Sequence, residues 1–172
     1  MKIIFCRIGW AAYYDGQPND APQNGEGIDK DFESYNFKEH SGTYYGYVRT
    51  RGKIHFEKIE KGYSKDEDTM ENVLVIWFAK HPSGGQFVIG WYENATLYRT
   101  RQPVPLSVLK ERDSERKIFL AKSTKAILIP ESERNFQIPR GRSCSGQYDI
   151  WYGNDEWKDK VLNYIKNYSN TN

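Results

Sequence analysis

Histidine and cysteine are scarce in this chain of 172 residues, which contains three His and two Cys. Cys6 and Cys144 are too few for a disulfide framework and have no second thiol or histidine nearby, so we expect free thiols in a reducing compartment. His40, His55 and His81 are scattered without the spacing of zinc ligands. An HNH nuclease site needs clustered histidines and is therefore not expected here. The sequence predicts no bound metal and no other cofactor.

Long apolar runs are also missing, and this bears on location. The opening "MKIIFCRIGW" has one Lys and a short apolar stretch, then polar sequence rich in Gly, Asp and Pro, unlike a signal peptide. No stretch approaches the length of a membrane span. We expect a soluble cytoplasmic protein without a membrane partner. The length predicts one domain over residues 1–172, with a core large enough to fold without disulfide bonds or bound metal.

Aromatic residues and local positive charge are what the chain has in quantity. Thirteen Tyr, five Trp and eight Phe make up 15% of it. Residues 99–142 hold 11 Lys and Arg against 5 Asp and Glu, whereas residues 1–98 hold 11 against 14. A basic segment of this kind is a common sign of phosphate contact, although a solvated face would look the same.

Apolar patterning predicts an α+β fold of five to seven mostly antiparallel strands arranged as a small closed or nearly closed barrel. One or two short helices and a C-terminal helix complete it. The predicted elements are a strand Lys2–Ile8, a hairpin Tyr44–Arg49 with Ile54–Ile59, a buried hairpin Asn72–Ala79 with Phe87–Tyr98, a helical turn at Leu106–Lys110, one or two short strands ending at Pro130, and a helix capped by Asn154 or Asp155.

Signals for catalysis are weak. No Gly-x-Ser-x-Gly motif occurs, and a metal-dependent nuclease motif would have to use Asp149, Glu156 and Lys158. Glu156 and Lys158 fall in the first turn of the predicted helix, where acidic residues favour the helix dipole instead. A self-contained nuclease or base-modifying enzyme stays open as an alternative, as does an RNA-binding domain.

The stretch "GGQFVIGWYENATLYRT" combines aromatic, amide and arginine side chains, which suit recognition better than reaction. Bases stack on aromatic faces, amides read base edges, and cations hold the phosphates. The longer stretch "NVLVIWFAKHPSGGQFVIGWYENATLY" resembles the central hairpin of PUA-like domains, especially the EVE branch. Gly90 corresponds to the glycine of the returning strand, and "IFCRIGWAAYY" to the opening strand, although the EVE continuation "KSEP" is missing.

The whole chain also resembles the region that precedes the nuclease in bacterial HNH-type restriction proteins. The motifs "YNF", "YYGYV", "VGWY-NAT-YR" and "IPR" occur in the same order at Tyr35–Phe37, Tyr44–Val48, Ile89–Arg99 and Ile138–Arg140. The resemblance implies a twisted barrel of five or six strands that accepts a base flipped out of a duplex, as SRA, YTH and EVE domains do. It implies recognition of a modified base, with modified cytosine in DNA favoured over RNA, and cleavage by a fused or partner HNH nuclease.

Candidate residues follow from this interpretation. The predicted base pocket consists of Trp10, Tyr35, Asn36, Phe37, Trp91, Tyr92, Asn94 and Trp151. The predicted contacts to the nucleic-acid backbone are Arg99, Arg101, Lys122, Lys125, Arg140 and Arg142. Trp91 and Tyr92 are consecutive on a strand, so only one of them can face a given pocket. Core packing is the alternative role for the aromatic residues, and turn capping for the two Asn residues.

Overall fold

The computed structural model describes residues 1–23, 28–112, 118–141 and 149–171. The backbone there forms eight strands: β1 (Lys2–Ile8), β2 (Glu39–His40), β3 (Thr43–Gly46), β4 (Thr69–Lys80), β5 (Gln86–Pro103), β6 (Ile118–Ser123), β7 (Lys125–Leu128) and β8 (Ile150–Trp151). The helices are α1 (Leu106–Leu109), α2 (Asp155–Thr171) and three 3-10 helices at Ile28–Tyr35, Phe56–Lys58 and Glu131–Glu133. The predicted α+β class is confirmed. No described helix combines the length and the apolar character needed to cross a bilayer.

All eight strands belong to one sheet, in the order β2-β3-β6-β5-β4-β1-β8. β7 lies off this path and pairs with the first half of β5, while β6 pairs with its second half. β1 and β4 run parallel, and the other pairs are antiparallel. Among the described residues, β2 and β8 do not pair, so the sheet is open and the predicted barrel closure is not seen.

The predicted buried hairpin is the centre of the sheet. β4 contains a continuous apolar run and is buried on both faces from Val73 to Ala79. β5 returns after a turn in which Gly84 and Gly85 adopt φ angles of 108° and 81°, a region that favours glycine. Asn72 and Asn94 also adopt positive φ angles, of 59° and 49°, where the β4–β5 register shifts. These irregularities bend the hairpin locally.

Gly90 precedes the Trp-Tyr pair because two neighbours approach the backbone closely at that point. A Cβ atom on Gly90 would lie 2.3 Å from the carbonyl oxygen of Ile127 in β7 and 2.8 Å from the ring of Phe37. The next two side chains point to opposite faces of the sheet. A glycine therefore allows β7 and an aromatic ring to pack directly on β5.

The sheet buries one core on each face. One face packs against α2, and its core includes Phe5, Phe78, Trp91 and Val161. The other face is covered by the segment between β1 and β4, and its core contains many aromatic rings, among them Tyr14, Phe37, Tyr47, Phe56, Trp77 and Tyr92. Cys6 lies in this second core as a free thiol, and burial raises its pKa. Cys144 lies outside the described residues.

The predicted hairpin of Tyr44–Arg49 with Ile54–Ile59 is wrong. β3 covers only Thr43–Gly46 and pairs with β2 and β6. The second segment contains the 3-10 helix Phe56–Lys58 instead of a strand. A Cβ atom on Gly46 would lie 2.5 Å from the ring of Trp77, so β3 ends where this indole packs against the backbone.

The C-terminal helix and the single turn before it are confirmed. α1 occupies Leu106–Leu109 within the predicted turn. Asn154 caps α2, because its side-chain oxygen accepts a hydrogen bond from the backbone N–H of Trp157 at 3.0 Å. Glu156 and Lys158 lie in the first turn of α2, and Asp149 pairs with Arg7 at 2.8 Å. The three residues therefore do not form the strand-borne nuclease motif.

Candidate functional site

A cleft of about 700 Å³ lies where the carboxyl ends of β1 and β4 meet the end of β7. It is lined by Ala12, Tyr13, His81, Leu128, Pro130, Glu131 and Ser132. We call it the Trp10 cleft, because Trp10 follows β1 after Gly9 and contacts His81 and Glu131 of this lining. Its volume falls within the range of small-molecule sites, roughly 300–1,000 Å³.

Trp10 is 5% exposed and is held by polar and aromatic neighbours. Its indole N–H donates to Oε1 of Glu131 at 2.6 Å. The guanidinium carbon of Arg134 lies 4.8 Å from its ring centroid, and the imidazole of His81 meets it edge-on at 4.6 Å. Trp10 therefore connects Glu131, Arg134 and His81, but the ring itself is too buried to stack on a ligand.

The loop after Trp10 is held by one carboxylate. Asp20 accepts hydrogen bonds from three consecutive backbone N–H groups, those of Ala12, Tyr13 and Tyr14, at 2.6, 2.7 and 2.8 Å. Tyr14 has a left-handed φ of 52°, and its buried hydroxyl donates to the carbonyl oxygen of Gly9. Burial raises the pKa of Tyr14. Between these fixed groups the side chain of Tyr13 is 59% exposed at the cleft.

His81 and Glu131 supply opposite hydrogen-bonding capacities. Nδ1 of His81 accepts a hydrogen bond from the backbone N–H of Ser83 at 3.0 Å, so the neutral ring carries its proton on Nε2. One oxygen of Glu131 is occupied by Trp10, which leaves Oε2 as an acceptor. The cleft thus combines an aromatic face, a donor, an acceptor and the apolar side chains of Leu128 and Pro130.

The predicted pocket residues around Asn36 lie in the core. The side-chain amide of Asn36 forms two hydrogen bonds, each 2.9 Å, with the backbone N–H and carbonyl of Tyr47. The hydroxyl of Tyr92 donates to the backbone oxygen of Asn36, and burial raises the pKa of Tyr92. Tyr35 and Phe37 are buried beside them. Asn36 is fully buried and both of its polar atoms bond Tyr47, so the structure places it in the core and not at the surface of a pocket.

The other predicted pocket residues are dispersed. Trp91 is fully buried on the opposite face of the sheet, where its ring meets Tyr168 of α2 at 5.5 Å. Trp151 packs on Phe5 at 4.7 Å, on the same α2 side. Asn94 is exposed at the bulge of β5. Of the predicted pocket residues, Trp10 contacts the lining of the cleft through His81 and Glu131, and the others are dispersed over the described part of the fold.

Arg99 is buried, which contradicts its predicted contact with phosphate. Its guanidinium donates to the backbone oxygens of Glu67, Ile54 and Ser64 at 2.9–3.2 Å and lies 4.3 Å from the ring of Phe56. Two further arginines of the basic segment, Arg112 and Arg134, are also buried and bound to backbone oxygens. Part of the positive charge of residues 99–142 therefore lies inside the fold, where it binds backbone oxygens and is not available to phosphates.

The remaining predicted cations lie on different parts of the surface. Arg101 is exposed near the end of β5, and Lys125 is paired with Glu93 at 2.5 Å. Lys122 lies 5.7 Å from the ring of Tyr98, and a hydrogen bond to that tyrosine raises the pKa of Lys122. Arg140 is exposed and follows the segment that pairs with the start of β5. Arg142 lies outside the described residues.

Sequence reasoning missed His81 and Glu131, which line the cleft, and Asp20 and Arg134, which hold the loop and Trp10 beside it. They come from four separate segments, and no local spacing joins them. Among the described residues, no group of three or more His, Cys, Asp and Glu side chains is arranged to hold a metal ion. Comparisons of the chain with protein-family models, with curated proteins and with solved structures found no match.

Proposed function

We propose that this chain is a nucleic-acid-binding module that recognises a modified base, with modified cytosine in DNA as the favoured ligand. The base would enter the Trp10 cleft, and not a pocket formed by Trp91 and Tyr92. The observation that carries the proposal is Tyr13, a largely exposed ring held at the cleft by a hydrogen-bonded loop. An exposed aromatic face is what a flipped base needs for stacking.

The polar groups of the cleft suit a cytosine-like ligand. The free oxygen of Glu131 would accept from an exocyclic amino group, such as N4 of cytosine. Nε2–H of His81 would donate to a ring nitrogen or carbonyl. Leu128 and Pro130 provide apolar surface for a methyl substituent. A ligand without that methyl would lose the free energy of burying it and would bind more weakly.

The PUA-like barrel and the role in a restriction system belong to the same proposal. Support for the fold comes from the mixed sheet, with Trp10 two residues after its first strand, and from the long C-terminal helix. The module would direct cleavage performed by a fused or partner HNH nuclease. Lys80 and Arg140, both exposed near the turn between β4 and β5, would contact phosphates beside the cleft.

The test is a binding series with three ligands of the same sequence: a plain DNA duplex, the duplex with 5-methylcytosine, and the matching RNA. We expect the methylated duplex to bind most tightly. Tyr13→Ala should weaken its binding about 5- to 150-fold, the equivalent of about 1–3 kcal/mol for one stacked base. Tyr13→Phe should retain the affinity, because the ring is kept.

Leu106→Ala is the matched control, since Leu106 is an exposed apolar side chain that does not line the cleft. Equal affinity for methylated and plain duplex would contradict recognition of a modified base. Preference for RNA would favour the RNA-binding alternative, and Mg²⁺-dependent cleavage by the isolated protein would favour the nuclease alternative. An unchanged affinity in Tyr13→Ala would exclude the Trp10 cleft as the site.

A further inference from the structure

A second cationic surface lies beside the end of β5, far along that strand from the Trp10 cleft. We call it the 49–53 patch and define it as Arg49, Arg51, Lys53 and Arg101. The backbone N–H of Ile54 donates to the carbonyl oxygen of Arg99 at 2.8 Å, which places the loop of residues 49–53 alongside β5. Arg101 reaches this loop through the carbonyl oxygen of Thr50, at 3.5 Å from its Nη2.

The patch has no acidic residue within its own segment. Between His40 and Glu57 the sequence contains no Asp or Glu. Glu57 itself is engaged, because it pairs with His55 at 2.9 Å and with the buried Arg99 at 3.5 Å. These contacts, and a hydrogen bond to its own backbone above all, lower the pKa of Glu57 to about 2. The nearest carboxylate in sequence is therefore committed to groups outside the patch.

The exposed members are available to a large ligand. Arg51, Lys53 and Arg101 are all exposed, and the guanidinium of Arg101 lies 5.8 Å from the ring of Tyr47. The buried Arg99, two residues away on β5, has its donors on backbone oxygens. Neighbouring arginines on one strand thus have different roles, one inside the fold and one at the surface.

Acidic residues limit the patch on one side. The backbone N–H of Arg99 donates to the carbonyl oxygen of Asp68, so the exposed connector with Asp66, Glu67 and Asp68 borders it there. A polyanion would be repelled from that border and would have to approach along the loop of residues 49–53. The surface therefore has a defined direction of approach.

We propose that the 49–53 patch binds the sugar–phosphate backbone of DNA at a distance from the base-reading cleft. This inference rests on the proposed function for its choice of DNA as the partner. Guanidinium groups match phosphate oxygens in charge and geometry. The patch supplies affinity that is independent of the base sequence and of the modification, while the cleft supplies the selectivity.

The test uses the double variant Arg51→Gln/Lys53→Gln and measures binding of a plain duplex at several salt concentrations. Two lost phosphate contacts should reduce the slope of log affinity against log salt by about 1.8. The ratio of affinities for methylated and plain duplex should not change. The control is Lys61→Gln/Lys65→Gln, which removes two exposed lysines from the following connector and should leave the slope unchanged.

An unchanged slope in the Arg51→Gln/Lys53→Gln variant would overturn the proposal, as would a wild-type protein that does not bind DNA. Loss of binding to phosphatidylserine vesicles without any change in DNA binding would assign the patch to a membrane surface instead. A reduced slope with equal affinity for methylated and plain duplex would keep the patch and reject the base-reading function. The two proposals can therefore fail separately.

Discussion

Arg134 joins the loop of the Trp10 cleft to the sheet, and its removal should destabilise the protein strongly. Nη1 and Nη2 donate to the carbonyl oxygens of Ala11 and Ala12 at 2.6 and 2.8 Å, and Nε donates to that of Ile129 at 2.9 Å. Arg134→Met keeps a side chain of similar reach but removes every donor. It also removes the cation from the face of Trp10.

The expected cost follows from the groups that lose a partner. An unsatisfied buried acceptor costs about 1–3 kcal/mol, and three are affected, although water can reach the half-exposed Ala12. We therefore expect the free energy of unfolding to fall by about 3–5 kcal/mol, a large share of a typical 5–15 kcal/mol. For a chain of this size the melting temperature should fall by about 6–20 °C.

Urea unfolding followed by circular dichroism measures this difference. Arg134→Lys should be intermediate, since an ammonium group keeps the charge but cannot reach three carbonyls in the geometry of a guanidinium. Arg140→Met is the control, because Arg140 is exposed, and it should change stability by no more than about 0.5 kcal/mol. A loss below about 1 kcal/mol in Arg134→Met would refute the reasoning that these hydrogen bonds hold the loop.

Two further predictions concern packing and pH. Gly90→Ala should lower the free energy of unfolding in urea by about 3 kcal/mol or more, because the added Cβ meets the backbone of β7. Gly141→Ala is the control, since a Cβ atom there meets open space and should leave stability nearly unchanged. Similar losses in the two variants would contradict the close approach of β7 to Gly90. His40 accepts a hydrogen bond from Nε of Arg112 at 3.2 Å, and burial lowers the pKa of His40. The unfolded chain takes up this proton near pH 6.5 and the folded chain resists it, so stability should fall as the pH drops below about 6.5. His40→Gln should reduce that fall between pH 7.5 and 5.5, and an identical pH dependence would show that another group is responsible.

The central part of the fold could be predicted from sequence because its signals are local. The unbroken apolar run of β4, the Gly-Gly turn and the helical stripe of α2 each indicate one structure on their own. The hairpin predicted after Tyr44 failed because its alternating pattern says nothing about the partner strand. β3 pairs with β6, which is distant in sequence, and Gly46 is required by the ring of Trp77.

The candidate site was less accessible to sequence reasoning, because charge and aromaticity do not specify burial. Arg99 looks like a phosphate ligand in the sequence, yet its planar group donates to the backbone oxygens of Glu67 and Ser64 inside the fold. Trp91 looks like a pocket wall, yet it faces α2. Tyr13 lies in a polar loop with no apolar periodicity, and only the structure shows that its ring is largely exposed at the cleft.

The contact of Asp20 with three successive backbone N–H groups has a consequence for energetics. A loop that is already ordered before a ligand arrives loses little conformational freedom on association. If a base binds as proposed, the free energy of stacking on Tyr13 would then contribute to affinity instead of being consumed in ordering the chain. The composition of this short polar segment suggests a flexible loop. The carboxylate of Asp20 instead holds its backbone in one ordered conformation.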